Sequence, residues 1–285
     1  MKKDITMKTL FKVHYFKIVL SIFIITFCYT ESKGQNFAKE FQNKQTDSLS
    51  QDIIFLHINP VISYRNESIE KMPNFETLDQ DIQKELYNKY APLADSISDS
   101  ILLNNYKTEL INKLTYFGFK VIYVNEPDAK INIDERHHTL NVAQLEIDEF
   151  NYTDSLTNGN EVFHKQLNGI RFNAWLIYNE ADTNSRLVFY CEEEVNDFFE
   201  GEIRKAGNEY YASYDYKKTT TNDAHLSAAI TGQTSAQYFF NFLMNKYVWI
   251  KSSGVDIYYY GIDPKTKKIY SDTQPFDNFD IIDYN

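Results

Sequence analysis

Ile170-Arg171-Phe172-Asn173-Ala174-Trp175-Leu176-Ile177-Tyr178 is the stretch that decides the fold. Ile170, Phe172, Ala174, Leu176 and Tyr178 share one parity; Arg171, Asn173, Trp175 and Ile177 share the other. A period of two marks a strand with one face turned to a core. The polar residues 179–185 then lead into a second apolar run, 186–191, so the two runs form a hairpin.

Moving upstream, residues 139–150 also read as extended, but their phase slips. Leu140 and Val142 lie on one parity, Leu145 and Ile147 on the other, which predicts a β-bulge near Ala143-Gln144. Residues 119–124 read as a strand, and 128–134 as extended. Between 96 and 118 the spacing predicts a helix with Leu103, Tyr106, Leu110, Leu114 and Phe117 on one face. Ser96 is its expected N-cap, and Gly118 stands where the chain leaves with positive φ. An earlier helix is expected over Phe75, Leu78, Ile82 and Leu86, stopping near Tyr90 because Pro92 follows. Residues 61–74 read as a loop. Ile53-Ile54-Phe55-Leu56-His57-Ile58 is apolar on both parities, which predicts a strand covered on both faces, and Asn59-Pro60 ends it.

Downstream, a second hairpin is expected to turn at Ala206-Gly207-Asn208. Residues 224–247 read as a helix broken or kinked near Gly232-Gln233, with Ala236, Phe240, Leu243 and Tyr247 as its later stripe. Residues 255–260 and 267–270 flank a turn at Asp263-Pro264. The last fifteen residues are acidic and aromatic. No internal repeat breaks the chain. The expected fold is α/β of the α+β kind: one domain over 51–285, with a mixed sheet, hairpins and two to four packed amphipathic helices.

Five lysines (Lys2, Lys3, Lys8, Lys12, Lys17) precede an apolar run from Ile18 to Tyr29, and Ser32-Lys33-Gly34 places small residues at a cleavage site. Residues 1–34 therefore read as a signal peptide, since the run is too short to span a hydrocarbon core of ~30 Å. Cleavage would leave Gln35 first, followed by a polar linker over 35–50. Cys28 offers an alternative, lipid anchoring, although Phe27 before it is a poor match to a lipoprotein site. The mature protein is expected to be exported to the periplasm or beyond, with no transmembrane span.

The 285-residue sequence carries 29 basic and 40 acidic side chains. The leader holds six lysines and two acids, so cleavage leaves 23 against 38, a balance of about −15. Such a surface opposes nucleic acid and anionic membranes. Only Cys191 would remain, so no internal disulfide is expected. Aromatics reach 16%, with 22 Tyr and 21 Phe; a sugar-binding protein has such a composition, but an AT-rich coding sequence is the stronger explanation.

There is no nucleophile elbow, zinc-protease helix motif, phosphate loop or dinucleotide glycine pattern. His57 is expected to be a satisfied core histidine. His137 and His138 are adjacent, so on a strand they point to opposite faces and cannot chelate together. His164 and His225 stand alone. Glu192, Glu193, Glu194, Asp197, Glu200 and Glu202 form the densest acidic group, read as a solvated strand end, with a calcium site or a carboxylate pair for glycoside hydrolysis as the alternatives. Asp182-Thr183-Asn184 is a weaker fragment of the same kind. Cys191 is expected to be a buried, inert thiol. Asn66-Glu67-Ser68 and Asn151-Tyr152-Thr153 match the glycosylation sequon. No catalytic, cofactor-binding or metal-ligating residue is assigned, and no cofactor is expected.

From Leu102 to Cys191 the order is helix, strand ending Lys120-Val121-Ile122-Tyr123-Val124, long strand, hairpin. This resembles the core of bacterial envelope lipoproteins of the curli-secretion and penicillin-binding-protein-activator group. The resemblance implies a non-enzymatic assembly or regulatory protein, whose partner would be another envelope protein or a glycan. The chain departs from that group in its poor lipoprotein site and in its extra segments at 153–168 and 192–222. A secreted hydrolase, with glycans as one candidate substrate class, and a ligand-binding module with an aromatic pocket stand as the other readings.

Overall fold

The structure is a computed structural model that describes residues 52–93, 96–126, 137–179, 186–252, 259–262, 269–272 and 279–282. The leader, the linker, Cys28, the 128–134 segment and Asp182-Thr183-Asn184 lie outside the described residues. The chain divides into two compact units. One comprises Met1–Ser48 with Leu243–Thr273, the other Leu49–Phe242 with Gln274–Asn285.

The second unit is an α+β structure built on a seven-stranded mixed sheet. In chain order it holds β1 (Ile53–Ile58), β2 (Ile62–Asn66), α1 (Glu67–Glu70), α2 (Gln80–Tyr90), α3 (Asp99–Tyr116), β3 (Lys120–Tyr123), β4 (His137–Asn158), β5 (Glu161–Asn179), β6 (Arg186–Asn196), β7 (Phe198–Ala206), β8 (Glu209–Lys217) and the start of α4 (Thr221–Ser252). In the other unit β9 (Tyr259–Ile262) pairs antiparallel with β10 (Ile269–Asp272). The final strand, β11 (Phe279–Ile282), returns to the large sheet beside β6. The strand order is β11-β6-β5-β4-β1-β3, with β2 also paired to β4. β1 is parallel to β3 and β4, and β2 is parallel to β4; the other neighbours run antiparallel.

β4 is 22 residues long and takes two partners along one edge, β1 over His137–Val142 and β2 over Leu145–Glu149. The predicted bulge lies where one partner gives way to the other, between Val142 and Gln144. Asn59 bridges the gap. Its backbone N–H donates to Val142 O at 3.0 Å, and its side-chain amide donates to Ala143 O at 3.1 Å, a carbonyl the bulge takes out of the ladder. Pro60, which has no N–H to give, follows where no ladder bond is needed. Residues 61–74 are therefore no simple loop, because β2 and α1 form there. Ser63-Tyr64-Arg65 lacks an apolar alternation, and the strand is set by its pairing to β4.

One face of the sheet carries most of its buried apolar side chains. Leu140, Val142, Leu145, Ile147, Ile170, Phe172, Ala174 and Leu176 are buried there; Tyr106 of α3 packs on Phe172, and the Thr231 hydroxyl of α4 donates to Phe172 O. α3 presents Leu102, Tyr106, Leu110 and Leu114, a straight i, i+4 row, so Leu102 takes the place expected of Leu103. Its N-cap position is Ser98, not Ser96, and Gly118 leaves with φ 96°. Each such leucine, fully buried, contributes about 1.5–3 kcal/mol. α2 starts later than expected, after a 3-10 turn at Phe75–Thr77, because the Asp79 carboxylate caps it by accepting from Asp81 N–H at 2.9 Å; Ile82 stays exposed.

Of the break or kink expected near Gly232, the break is absent: α4 runs through that position as one helix. A Cβ at Gly232 would strike the carbonyl oxygen of Tyr106 and come within 3.1 Å of the Leu110 nitrogen. The glycine lets two helix backbones touch; it does not interrupt one. β1 also departs from expectation. Ile54, Leu56 and Ile58 are buried, whereas Ile53, Phe55 and His57 are only half-buried, so the strand is covered on one face. No helix among the described residues is long and apolar enough to cross a membrane.

Candidate functional site

The face of the sheet opposite α3 and α4 carries polar and aromatic side chains in rows across the strands. Register fixes the rows. Arg65, Asp148, Arg171 and Glu194 lie opposite one another on β2, β4, β5 and β6. The next row holds Ser63, Glu146, Asn173 and Glu192, and the next Gln144, Trp175 and Tyr190. Beyond these come His57, Asn141, Ile177 and Val188. The alternation of strand side chains puts them all on one surface.

The first row alternates in sign. Arg171 donates to Glu194 Oε2 through Nη2 at 2.7 Å and stands 3.8 Å from Asp148 Oδ2. Its guanidinium also lies 5.2 Å from the Phe150 ring centroid. A Cβ at Gly169 would meet that ring at 2.5 Å and would strike the Asn196 side-chain oxygen, so the glycine leaves room for both side chains beside β5. Burial pushes the Glu194 carboxyl up, but hydrogen bonds from Asn196 and Arg171 outweigh it and hold the group below its ordinary range. Arg65 grips Glu70 through Nε and Nη2 and reaches Glu146 at 3.8 Å.

The second row is a hydrogen-bonded chain. Asn173 donates to Glu146 Oε1 at 3.2 Å, and Gln144 donates to Glu146 Oε2 at 3.3 Å. The Tyr190 hydroxyl stands 2.8 Å from Asn173 Oδ1 and 2.5 Å from Glu192 Oε2. Glu146 and Asp148 are each only 5% exposed, whereas Glu192 is open. Burial, and then the Glu192 carboxylate, push the Tyr190 phenol above its usual range, so it remains a donor at neutral pH. Trp175 and Tyr190 pair with ring centroids 5.0 Å apart. Both are half-buried, so each offers part of its ring to solvent.

Glu149, one residue beyond Asp148, points the other way and is fully buried. Tyr64 donates to it at 2.6 Å, Asn168 at 2.9 Å and the Leu93 N–H at 3.3 Å. It ties β2, β5 and the segment after α2 together. Asp197 does the same at the end of β6. It is 7% exposed and accepts from Asn168 N–H, Thr219 N–H and the Tyr216 hydroxyl at 3.0, 2.7 and 2.9 Å. The acidic group is therefore not one solvated strand end. Glu192 and Glu194 belong to the polar face, Glu193 points to the opposite side, and Asp197 is a buried bracket. Glu200 and Glu202 lie on β7, exposed, with Glu202 paired to Arg204. β6 runs on to Asn196, beyond the expected stop at Cys191, which is what carries these carboxylates onto the sheet.

The histidines scatter. His57 is half-buried on the polar face and bonds Asn141 Oδ1 at 2.8 Å, so it is satisfied without being in the core. His137 packs edge-on to Phe55, while His138 lies on the helix side among Phe119, Tyr178 and Phe239, 3.5 Å from Asp52. The two neighbours do point apart. His164 pairs with Ser155, and His225 accepts from Ser98 N–H. No three of the described His, Cys, Asp and Glu residues are grouped to hold a metal ion. Cys191 is 1% exposed, and burial pushes its thiol up to about 12, as suits an inert core residue. Asn66 is 3% exposed and donates to Tyr90 O at 2.9 Å, which closes it to a glycan in the folded chain.

The matched alternation of Arg171–Tyr178 pointed to this face. What sequence reading missed was its second dimension: which carboxylates of β4 and β6 would stand beside Arg171 and Asn173 depends on the bulge and the register.

Neither the protein-family models nor the curated protein sequences contain a match to the chain. Among solved structures, one from Helicobacter pylori, described as a neuraminyllactose-binding hemagglutinin homolog, is similar over 72% of this chain and 92% of that one, at 10% identity and a TM-score of 0.35.

Proposed function

We propose that the protein is an exported envelope protein with a binding or assembly role, and that it binds through the polar face of its sheet. The observation that carries this is the arrangement of Arg65, Asp148, Arg171, Glu194, Glu146, Asn173, Trp175 and Tyr190 in register on one surface. These side chains are held by one another before any partner arrives, so little ordering entropy is lost on binding. The aromatic pair at the centre supplies area, and the fixed charges around it supply selectivity. Export rests on the leader read in the sequence. The order helix, strand, long strand, hairpin over Leu102–Cys191 supports a place beside the envelope lipoproteins named above.

A hydrolase is the second reading, and one observation favours it. Glu146 and Glu192 are linked through Asn173 and Tyr190, one carboxylate buried and the other open. Such asymmetry is what a general acid and base require.

The test uses the full chain expressed in an exporting bacterium, with a photo-crosslinking amino acid at position 175. Recovery from the envelope with Gln35 first, and a discrete adduct formed on irradiation, is the expected result. An intact Met1 on protein from the cell interior, or no adduct at 175 when position 101 on α3 gives one, would overturn the proposal. New reducing ends appearing in a glycan mixture would favour the hydrolase.

A further inference from the structure

We infer that β8 is an interface between copies of this chain: its outer edge pairs antiparallel with β8 of a second copy, about a two-fold axis through Ser213. The pairing is independent of the polar face of the large sheet.

β7 and β8 form a two-stranded ribbon apart from the large sheet, so each strand has one edge that the other does not serve. The ribbon turns in two residues, Gly207 (φ 64°) and Asn208, so Ala206 and Glu209 close it as a bonded pair. Bonded pairs then recur at every second residue. Tyr210, Ala212, Tyr214 and Tyr216 therefore turn their N–H and C=O groups away from β7. The corresponding edge of β7 is occupied, because the Asn158 amide donates to Ile203 O at 2.8 Å. On β8 no backbone group bonds beyond β7 among the described residues. Four amides and four carbonyls line its nine residues, with no Pro, Gly or register shift to blunt them, which is a template for another strand.

Charge complementarity identifies that strand as β8 itself. Read antiparallel about Ser213, Glu209 of each copy faces Lys217 of the other, Tyr210 faces Tyr216, Tyr211 faces Asp215 and Ala212 faces Tyr214. Opposite charges and aromatic pairs across an antiparallel ladder each stabilise it, and symmetry makes every pair form twice. Glu209 and Lys217 are both exposed, and neither makes an ion pair within one copy among the described residues. Lys217 helps to lower the Asp223 carboxyl without closing an ion pair with it. The same register sets outward-turned residues opposite outward-turned residues, as a ladder requires. Moving the axis to Ala212 would instead bring Glu209 against Asp215, a like-charge pair. The ribbon would grow to four strands, β7-β8-β8-β7, and stop there, because Asn158 closes its ends.

Sedimentation velocity of the full mature chain, from about 1 to about 300 µM, reads the mass. The expected result is a rise from one chain to two and no further. Glu209→Lys sets like charges opposite each other at both ends of the ladder and should raise the dissociation constant about tenfold. Lys217→Glu should do the same, and the double variant Glu209→Lys, Lys217→Glu should recover the parent value. Thermal scans check that all three stay folded. Ser213→Cys reads the register. On the axis, residue 213 and its copy form a non-bonded pair with Cα atoms about 4.5 Å apart, within the ~4.4–6.8 Å that a disulfide spans. Mild oxidation should link Ser213→Cys into a covalent dimer and leave Tyr211→Cys unlinked; Cys191, 1% exposed, does not compete.

A single-chain mass at every concentration overturns the inference, whether nothing or another segment of the chain covers the edge. A dimer that neither single substitution weakens overturns it too. So does a loss that the double variant fails to recover, or a disulfide formed equally by Ser213→Cys and Tyr211→Cys.

Discussion

Gly232 shows how one missing methyl sets two helices in place. Alanine would raise helix propensity by about 1 kcal/mol. Its Cβ, however, would meet the backbone of Tyr106 and Leu110, which cannot swing aside as a side chain would. Overpacking of this kind costs about 1–3 kcal/mol, so the steric term wins. Gly232→Ala is expected to lower the melting temperature in a thermal scan; an unchanged or higher value would mean that α3 and α4 have room to part. At the start of α4, Thr220 and Asp223 bond each other reciprocally. Asp223 Oδ2 accepts from the Thr220 hydroxyl at 2.7 Å and from its N–H at 2.9 Å. Those bonds hold the Asp223 carboxyl below its ordinary range. A lowered carboxyl adds stability above its unfolded value, about 3.9, and loses it as pH falls through the folded value. Asp223→Ala should therefore lower the melting temperature at pH 7, and the difference from the parent should shrink by about pH 2. A gap of equal size at both pH values would show that the carboxylate is not what caps the helix.

At the scale of elements, Asn59 is the residue on which the longest strand depends. It accepts the Val61 N–H at 3.1 Å while donating to Ala143 O, so it joins β1, β2 and the bulge of β4 at one point. Asn59→Ala leaves that carbonyl without its donor, at a cost of about 1–3 kcal/mol. Faster amide exchange is expected in β2, with β5 and β6 unchanged; uniform loosening of the whole sheet would argue against a local joint. The bulge itself was legible because Leu140–Val142 and Leu145–Ile147 disagree in phase, and only an inserted residue reconciles them. The hairpins were legible from alternation and from Gly207 at a turn. β2 was not, because Ser63, Tyr64 and Arg65 have no apolar partner among themselves and gain one only by lying against β4. β11 was hidden for the same reason, since Phe279–Ile282 among acids looks like a tail until β6 supplies its register. Gly232 was misread because a glycine that breaks a helix and one that lets a neighbour approach leave the same mark in a sequence. The polar face stood half revealed: Arg171, Asn173 and Trp175 were visibly on one side, but their neighbours come from strands whose offset no local pattern states.

For the molecule as a whole, the acidic balance of the 285 residues sets how it meets its surroundings. A gel-shift titration with duplex DNA at low salt is expected to show no retarded band, because like charges gain nothing from releasing counterions. A shift that fades with added salt would point to a basic patch. The sheet, meanwhile, is assembled from distant pieces. β6 is flanked on one side by β5, a near neighbour in the chain, and on the other by β11, which lies beyond β7, β8, the whole of α4 and the β9–β10 pair. Until that late segment arrives, β6 offers a row of unmatched amides and carbonyls to any extended chain that passes. A chain released progressively from its amino end would thus emerge with its largest sheet unsealed. Refolding in vitro should be paced by this remote closure, and an escort that shields strand edges would have its greatest effect during that interval.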